Sequence, residues 1–171
     1  MVWNKIDLFP AGKSGFDAKW RIDEDRRDVI VFIGGSDHWS DWLHHFTPGA
    51  KKREIEAAEA IFEVIREKVE DAISVFIGGH SVGGVIACCL GEMTQHKAQT
   101  PTYVCLFGSK RIWWNPEVDM EHYVRRGDIV PLLPPWRREY RKLIVYGKRL
   151  PFWKAHGPST YYPEMEMLGL R

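Results

Sequence analysis

The chain has 171 residues, of which 44% are apolar and 27% are charged, and its formal net charge is +1. These values are ordinary for a globular protein, so they exclude a disordered or collagen-like chain. The small net charge gives no indication of a polyanionic partner such as nucleic acid. We therefore expect a single domain spanning residues 1–171 with one packed core.

The amino-terminus and the cysteines bear on the compartment. No apolar run has the length of a signal peptide, and none approaches the ~18 residues of a membrane-spanning helix. The three cysteines, two of them adjacent, fall in apolar segments and form no disulfide framework. We expect a cytoplasmic protein, which includes a phage or viral product in a host cytoplasm, although a mature secreted form would look similar.

Strands and helices are predicted to alternate along the chain. In chain order they are a strand at 16–22, a strand at 29–33, a helix at 51–72, a strand at 73–77, a helix at 82–90, a strand at 102–107 and a strand at 143–146. The β-branched apolar runs are typical of strands buried on both faces. This order predicts a compact three-layer α/β sandwich with a mostly parallel central sheet.

The helix at 51–72 is the clearest of these elements. Apolar residues recur every three or four positions and form one stripe: Ile55, Ala58, Phe62, Ile65 and Val69. Five glutamates are expected on its solvated surface: Glu54, Glu56, Glu59, Glu63 and Glu67.

The run Gly79-His80-Ser81-Val82-Gly83 connects a predicted buried strand to a predicted apolar helix. A serine on such a sharp turn has strained backbone angles that project its hydroxyl above the sheet. Glycines two positions before and after it avoid collisions with the neighbouring strand and helix. The sequence therefore predicts Ser81 as a nucleophile and the Val82 amide, at the helix amino-terminus, as an oxyanion donor.

A structural glycine-rich turn, or one that cradles a phosphate, is the alternative interpretation of this run. The P-loop pattern is not met, because Val85 stands where its lysine would be. Gly12-Lys13-Ser14 has the ending of that pattern, but Asp7 occupies the place of its upstream glycine. The flanking strand and helix favour the catalytic interpretation.

Chain order selects the general base. In hydrolases with this elbow, an acid and then a histidine follow the serine along the chain. Of the seven histidines, only His156 lies after the candidate acids near residue 128, and its segment at 153–158 is loop-like. Without the elbow, an isolated surface histidine would be the simpler interpretation.

Several carboxylates precede His156 and are formally possible as its partner: Glu117, Asp119, Glu121, Asp128 and Glu139. Asp128 is favoured because it follows an extended stretch at 122–125 and so falls at the end of a strand. There its carboxylate would accept a hydrogen bond from the imidazole and stabilise the imidazolium. A turn aspartate after Gly127 is the alternative, and the pattern alone leaves the other acids open.

Four separated blocks, in the same order along the chain, resemble the class 3 lipase family of α/β hydrolases. Residues 79–84 are similar to the family's Gly-His-Ser-Leu-Gly-Gly elbow, and residues 107–112 to its Phe-Gly-x-Pro-Arg-Val segment. Residues 123–131 with Leu133-Pro134 are similar to its Asp-Ile-Val-Pro block. Residues 32–36, followed by Asp41-Trp42-Leu43, are similar to its Arg-Gly-Thr/Ser segment and the Asp-Trp-Leu after it. The resemblance implies an α/β-hydrolase-like fold and makes Asp128 the triad acid. It also implies that Ser36 is a second oxyanion donor, through its backbone amide, with its hydroxyl as an additional candidate.

The chain departs from the family pattern at several places. Gly34 replaces the arginine before the oxyanion glycine, and Lys110 replaces the usual proline. The His-x-Gly-Phe strand that usually precedes the long helix is not visible. The interval from Trp42 to Lys51 is short, so little chain is left for a lid over the site.

We interpret the chain as an esterase or lipase with a Ser81–Asp128–His156 triad and no metal or organic cofactor. Its expected partner is a small-molecule or lipid ester, with no nucleic acid and no transmembrane segment. A phospholipase or other acyl hydrolase acting on anionic lipid is a second interpretation. A catalytically silent hydrolase-fold binding module is a third, which no feature of the sequence favours.

Two sets of side chains bear on contact with a lipid surface. Six tryptophans fall near the site segments, and they fit an acyl groove, an interfacial rim or ordinary packing: Trp39, Trp42, Trp113, Trp114, Trp136 and Trp153. The basic segment at 136–142, continued by Lys148, Arg149 and Lys154, would attract an anionic surface. A solvated face is the simpler explanation of these charges.

Overall fold

One sheet, with its strands in chain order, organises the computed structural model, which describes residues 2–7, 17–35, 49–135 and 143–170. Its strands are β1 (Asn4–Asp7), β2 (Asp17–Asp23), β3 (Asp28–Ile33), β4 (Ser74–His80), β5 (Thr102–Phe107), β6 (Asp119–Arg125) and β7 (Leu143–Tyr146). The helices are α1 (Ala50–Glu70), α2 (Val82–Lys97), α3 (Phe152–Ala155) and α4 (Tyr162–Met167). Short 3-10 turns lie at Val130–Leu132 and Pro158–Thr160.

The strand pairings confirm a mostly parallel sheet. β1, β2 and β3 pair antiparallel, whereas β3 to β7 pair parallel in sequence. Helix α1 connects β3 to β4, and α2 connects β4 to β5. The carboxyl ends of β3, β4, β5 and β6 therefore lie at one edge of the sheet, where α/β proteins place their sites.

Two apolar cores lie on opposite faces of the sheet. Val104 and Leu106 of β5 belong to the core formed with α1 and α2. Cys105 and Phe107 alternate with them and pack with carboxy-terminal residues that include Tyr161. Because side chains alternate along a strand, helices on one face and the carboxy-terminal segment on the other make the predicted three layers.

Some element bounds differ from those predicted. β1 and the short helices α3 and α4 were not predicted, and Ile73, expected in a strand, is 59% exposed and precedes β4. Helix α2 runs past Gly91 to Lys97. A Cβ on Gly91 would come within 2.7 Å of the Val104 side chain, so this glycine serves close helix–sheet packing and does not end the helix.

The expectation that Glu54 lies on a solvated face is wrong. Glu54 is fully buried, and its carboxylate pairs with the buried ammonium of Lys110. Ala50, Ala57 and Ala58 are buried on the same helix. Glu54 is four residues from Ala50 and from Ala58, so helical spacing puts it on the buried stripe.

Among the described residues, no helix is both long and apolar enough to cross a membrane.

Candidate active site

Ser81 lies on a strained turn between β4 and α2. Its backbone angles are φ 56° and ψ −123°, a left-handed conformation that is uncommon for a residue with a side chain. A Cβ on Gly79 would come within 2.5 Å of the Gly83 carbonyl oxygen, and one on Gly83 within 2.4 Å of the Ile33 carbonyl oxygen. The predicted requirement for both glycines therefore has a steric cause.

A chain of hydrogen bonds joins Ser81, His156 and Asp128. The Ser81 Oγ is 2.9 Å from His156 Nε2, and His156 Nδ1 is 2.9 Å from Asp128 Oδ2 and 3.1 Å from Oδ1. Because a carboxylate can only accept, Nδ1 carries a proton and Nε2 is left to accept from the serine hydroxyl. This is the arrangement that activates a hydroxyl for nucleophilic attack.

Asp128 lies in the turn after β6, and its side chain is fully buried. Besides His156, the Val130 amide donates to Oδ1 at 2.9 Å and the Tyr161 hydroxyl donates to Oδ2 at 2.5 Å. Gly127 has φ 96°, and a Cβ there would collide with the Leu150 carbonyl oxygen. Glycine at this position thus allows residue 128 to turn back toward the histidine.

His156 directly follows the single-turn helix α3, so its segment is not the continuous loop that was predicted. The His80 Nε2–H donates to the His156 carbonyl oxygen at 3.0 Å, and the two rings stack with centroids 5.0 Å apart. Burial, with the charge of His156 second, lowers the pKa of His80 to about 3. His80 is therefore neutral near pH 7, and its hydrogen bond and ring contact help to fix the position of His156.

The predicted oxyanion donors are only partly described. Val82 is buried and is the first residue of α2, where backbone amides have no intrahelical acceptor. Gly35 lies against Ser81, because a Cβ on it would come within 2.8 Å of the Ser81 Cβ. Ser36, the next residue, lies outside the described residues. The interval from Trp42 to Lys51, which is expected to be too short for a lid, also lies outside them up to residue 48.

The tryptophans fall into three groups. The Trp113 and Trp114 rings contact each other with centroids 4.1 Å apart and planes inclined by 40°, and both pack against the core, which favours ordinary packing for this pair. Trp153 is 68% exposed. The other three, Trp39, Trp42 and Trp136, and the basic segment at 136–142 lie outside the described residues.

Tyr161 is the site residue that the sequence did not reveal. It is fully buried, its hydroxyl accepts from the Arg125 amide at 3.2 Å, and it donates to Asp128. Burial, then the Asp128 charge, raises the pKa of its phenol, so it stays a donor. Nothing in the adjacent pair Tyr161-Tyr162 indicates which ring is buried.

Comparison with known proteins gives fungal lipases. No family model matches the chain. A protein of Fusarium solani described as secreted mono- and diacylglycerol lipase 1 is 25% identical over 85% of this chain and 50% of its own length. The chain therefore spans about half the length of this curated relative.

Two solved structures show the same fold. The Lip2 lipase of Yarrowia lipolytica superposes with a TM-score of 0.62 and 15% identity, over 85% of this chain and 66% of its own. The Rhizomucor miehei lipase in its propeptide complex superposes with a TM-score of 0.56 and 16% identity, over 78% of this chain and 52% of its own. These similarities confirm the predicted α/β-hydrolase fold and the resemblance to class 3 lipases.

Proposed function

We propose that this class 3 lipase-like chain is a serine hydrolase that cleaves carboxylic esters through an acyl-enzyme on Ser81. The observation that carries the proposal is the chain of hydrogen bonds from the Ser81 hydroxyl through His156 to the buried Asp128. The similar proteins are all described as lipases, which supports an ester as the substrate.

The proposed reaction has two halves. Ser81 Oγ attacks the ester carbonyl carbon while His156 Nε2 takes the hydroxyl proton, and Asp128 stabilises the imidazolium. The carbon–oxygen bond to the alcohol then breaks, and His156 returns the proton to the leaving oxygen. A water molecule repeats these steps on the acyl-enzyme and releases the carboxylic acid and free Ser81.

The backbone amides of Val82 and Ser36 are the proposed oxyanion donors. The Val82 amide is supported by its place at the amino-terminus of α2. Ser36 is supported by the closeness of Gly35 to Ser81 and by the resemblance to class 3 lipases. Loss of one such donor typically lowers kcat by about a hundred- to a thousandfold.

We propose a small-molecule or lipid ester as substrate. The Fusarium relative is described as acting on mono- and diacylglycerols, so glycerides are included in this class. The short interval from residue 42 to 51 supports hydrolysis of short-chain esters without interfacial activation. Rates on tributyrin measured across its solubility limit test this, and a sharp jump above the limit would overturn it.

A fluorophosphonate probe tests the hydrolase proposal directly, because it reacts only with an activated serine. We expect labelling of the wild type, none in Ser81→Ala, and strong suppression in His156→Ala. Ser109→Ala is the control, because Ser109 is buried beside α2 and is no part of the proposed triad. An unlabelled wild type that is folded would instead favour a catalytically silent module.

The cytoplasmic location stays a proposal. It is supported by three buried cysteines that form no disulfide, Cys88, Cys89 and Cys105, as in a reducing compartment. The Fusarium relative is described as secreted, which points the other way. Fractionation of the native host, with the protein detected by the fluorophosphonate probe, decides between the two.

A further inference from the structure

Two neighbouring aromatic side chains of α3 are exposed beside the catalytic histidine. Trp153 is 68% exposed and Phe152 is 45% exposed, and their rings contact edge to face with centroids 5.2 Å apart. The rings contact each other while much of their surface faces solvent. Large apolar side chains grouped in this way mark an interaction surface.

Cations flank this aromatic pair. Lys148, Arg149 and Lys154 are all exposed, and Arg126 is exposed on the adjoining loop. Within residues 126–135 and 147–163 the only acid is Asp128, which is buried against His156 and Tyr161. The segment 147–154, which we call the docking segment, thus combines exposed aromatic rings with three exposed cations and contains no acidic residue.

The docking segment belongs to the same end of the molecule as the site. The Leu150 amide donates to the Arg126 carbonyl oxygen at 3.0 Å, which joins it to the loop that carries Asp128. That loop exposes two more apolar side chains, Ile129 at 42% and Leu132 at 54%. His156, whose Nε2 lies 2.9 Å from the Ser81 Oγ, follows the docking segment after one residue, and its amide donates to the Phe152 carbonyl oxygen.

We propose that the docking segment binds the surface of an anionic phospholipid membrane. Phe152 and Trp153 enter the boundary between headgroups and acyl chains, where aromatic rings are stable. Lys148, Arg149 and Lys154 lie among the lipid phosphates. Membrane binding itself does not depend on the proposed function. Its consequence, that an ester in the membrane is brought to Ser81, rests on that function.

The charges decide the kind of surface. A neutral lipid droplet would be bound by Phe152 and Trp153 alone and would gain nothing from the three cations. An anionic leaflet attracts each Lys or Arg near it strongly enough to tighten binding by about fivefold. Three cations therefore favour the anionic surface by roughly a hundredfold.

Co-sedimentation of the full chain with vesicles tests the proposal. Wild type is expected to bind mixed phosphatidylglycerol and phosphatidylcholine vesicles, to bind pure phosphatidylcholine at least tenfold more weakly, and to be released by high salt. The variant K148E/R149E/K154E should bind the mixed vesicles more weakly by about a hundredfold or more, because it loses three attractions and gains repulsion. The variant F152S/W153S should bind the mixed vesicles more weakly than wild type by about tenfold or more, because the two aromatic side chains no longer move from water into the membrane.

Two matched controls keep the test specific. K5E/R26E/K68E changes the net charge equally, at exposed positions on β1, the β2–β3 turn and α1. V64S/I73S removes two apolar side chains that are 56% and 59% exposed elsewhere. Both should bind as wild type does, and equal losses in the controls and the docking-segment variants would overturn the proposal.

Binding and catalysis fail separately in this design. Ser81→Ala should bind vesicles as wild type does, and both docking-segment variants should keep wild-type fluorophosphonate labelling without vesicles. Labelled wild type that ignores anionic vesicles overturns the docking proposal and leaves the hydrolase intact. Unlabelled wild type that binds them overturns the hydrolase and leaves the docking surface.

Discussion

The Tyr161 hydroxyl lies 2.5 Å from Asp128 Oδ2, the same carboxylate oxygen that is 2.9 Å from His156 Nδ1. Tyr161 belongs to the carboxy-terminal segment and is fully buried where this segment packs against the sheet. One carboxylate oxygen thus accepts from the proposed base and from a fixed phenol. The phenol limits the positions that Asp128 can take and therefore the direction in which it holds the imidazole.

Tyr161→Phe is expected to lower kcat about tenfold, because a hydrogen bond to a charged acceptor contributes on the order of 1.5–3 kcal/mol and only part of it bears on the transition state. Steady-state kinetics on a soluble ester measure this. Tyr146→Phe is the control, because its hydroxyl contacts Thr160 and Glu164 instead of the proposed triad. Equal losses of kcat in both variants would show that Tyr161 has no special role.

The sequence predicted the parts of this site that local pattern encodes. A strand, a serine between glycines and a helix specify the elbow, and chain order then leaves one histidine. Tyr161 was missed because its contact with Asp128 joins residues 33 apart and depends on how the carboxy-terminal segment crosses the sheet. No periodicity within that segment encodes this packing.

Glu54 shows a second limit of pattern. Its residue type predicts the solvated face of α1 with the neighbouring glutamates, whereas its spacing of four residues from Ala50 and Ala58 puts it on the buried stripe. Its burial depends on Lys110, which follows β5 and neutralises its charge. A charge on an apolar stripe signals such a partner, but the sequence does not say which cation supplies it.

Removing either member of this buried pair is expected to destabilise the fold. Glu54→Leu or Lys110→Met alone leaves an uncompensated buried charge, which costs about 3 kcal/mol or more. The double variant should lose less stability than either single variant, as urea unfolding would measure. Lys52→Met is the control, since Lys52 pairs with Glu56 at 3.6 Å on the exposed side of α1 and should change stability little. Additive losses in the double variant would refute this account of the pair.

Gly83→Ala tests the steric basis of the elbow. Its Cβ would lie 2.4 Å from the Ile33 carbonyl oxygen and 2.5 Å from that of Gly34. These atoms belong to the backbone and cannot give way as a flexible side chain can, so we expect a loss of about 2 kcal/mol or more. Gly157→Ala, whose Cβ would be 3.6 Å from its nearest neighbour, is the control. Thermal unfolding of the two variants compares them, and similar melting temperatures would count against the steric explanation.

The stability of the fold is expected to rise with pH because of two buried histidines. Burial lowers the pKa of His80 and of His122 from 6.5 to about 3. Between these values the unfolded chain binds two protons that the folded chain does not, so the free energy of unfolding falls as the pH falls. The stability is complete above about pH 6.5 and decreases by roughly 1.4 kcal/mol per pH unit for each histidine.

His122→Gln separates the share of one histidine. The Ser109 amide donates to His122 Nε2 at 3.0 Å, and the glutamine side-chain carbonyl can accept in its place. Urea unfolding at several pH values within that window should therefore show a slope smaller by about one proton in the variant. An unchanged urea m-value would show that both proteins unfold in the same transition. The same pH slope in the variant and the wild type would mean that His122 is protonated in the folded state, contrary to its burial.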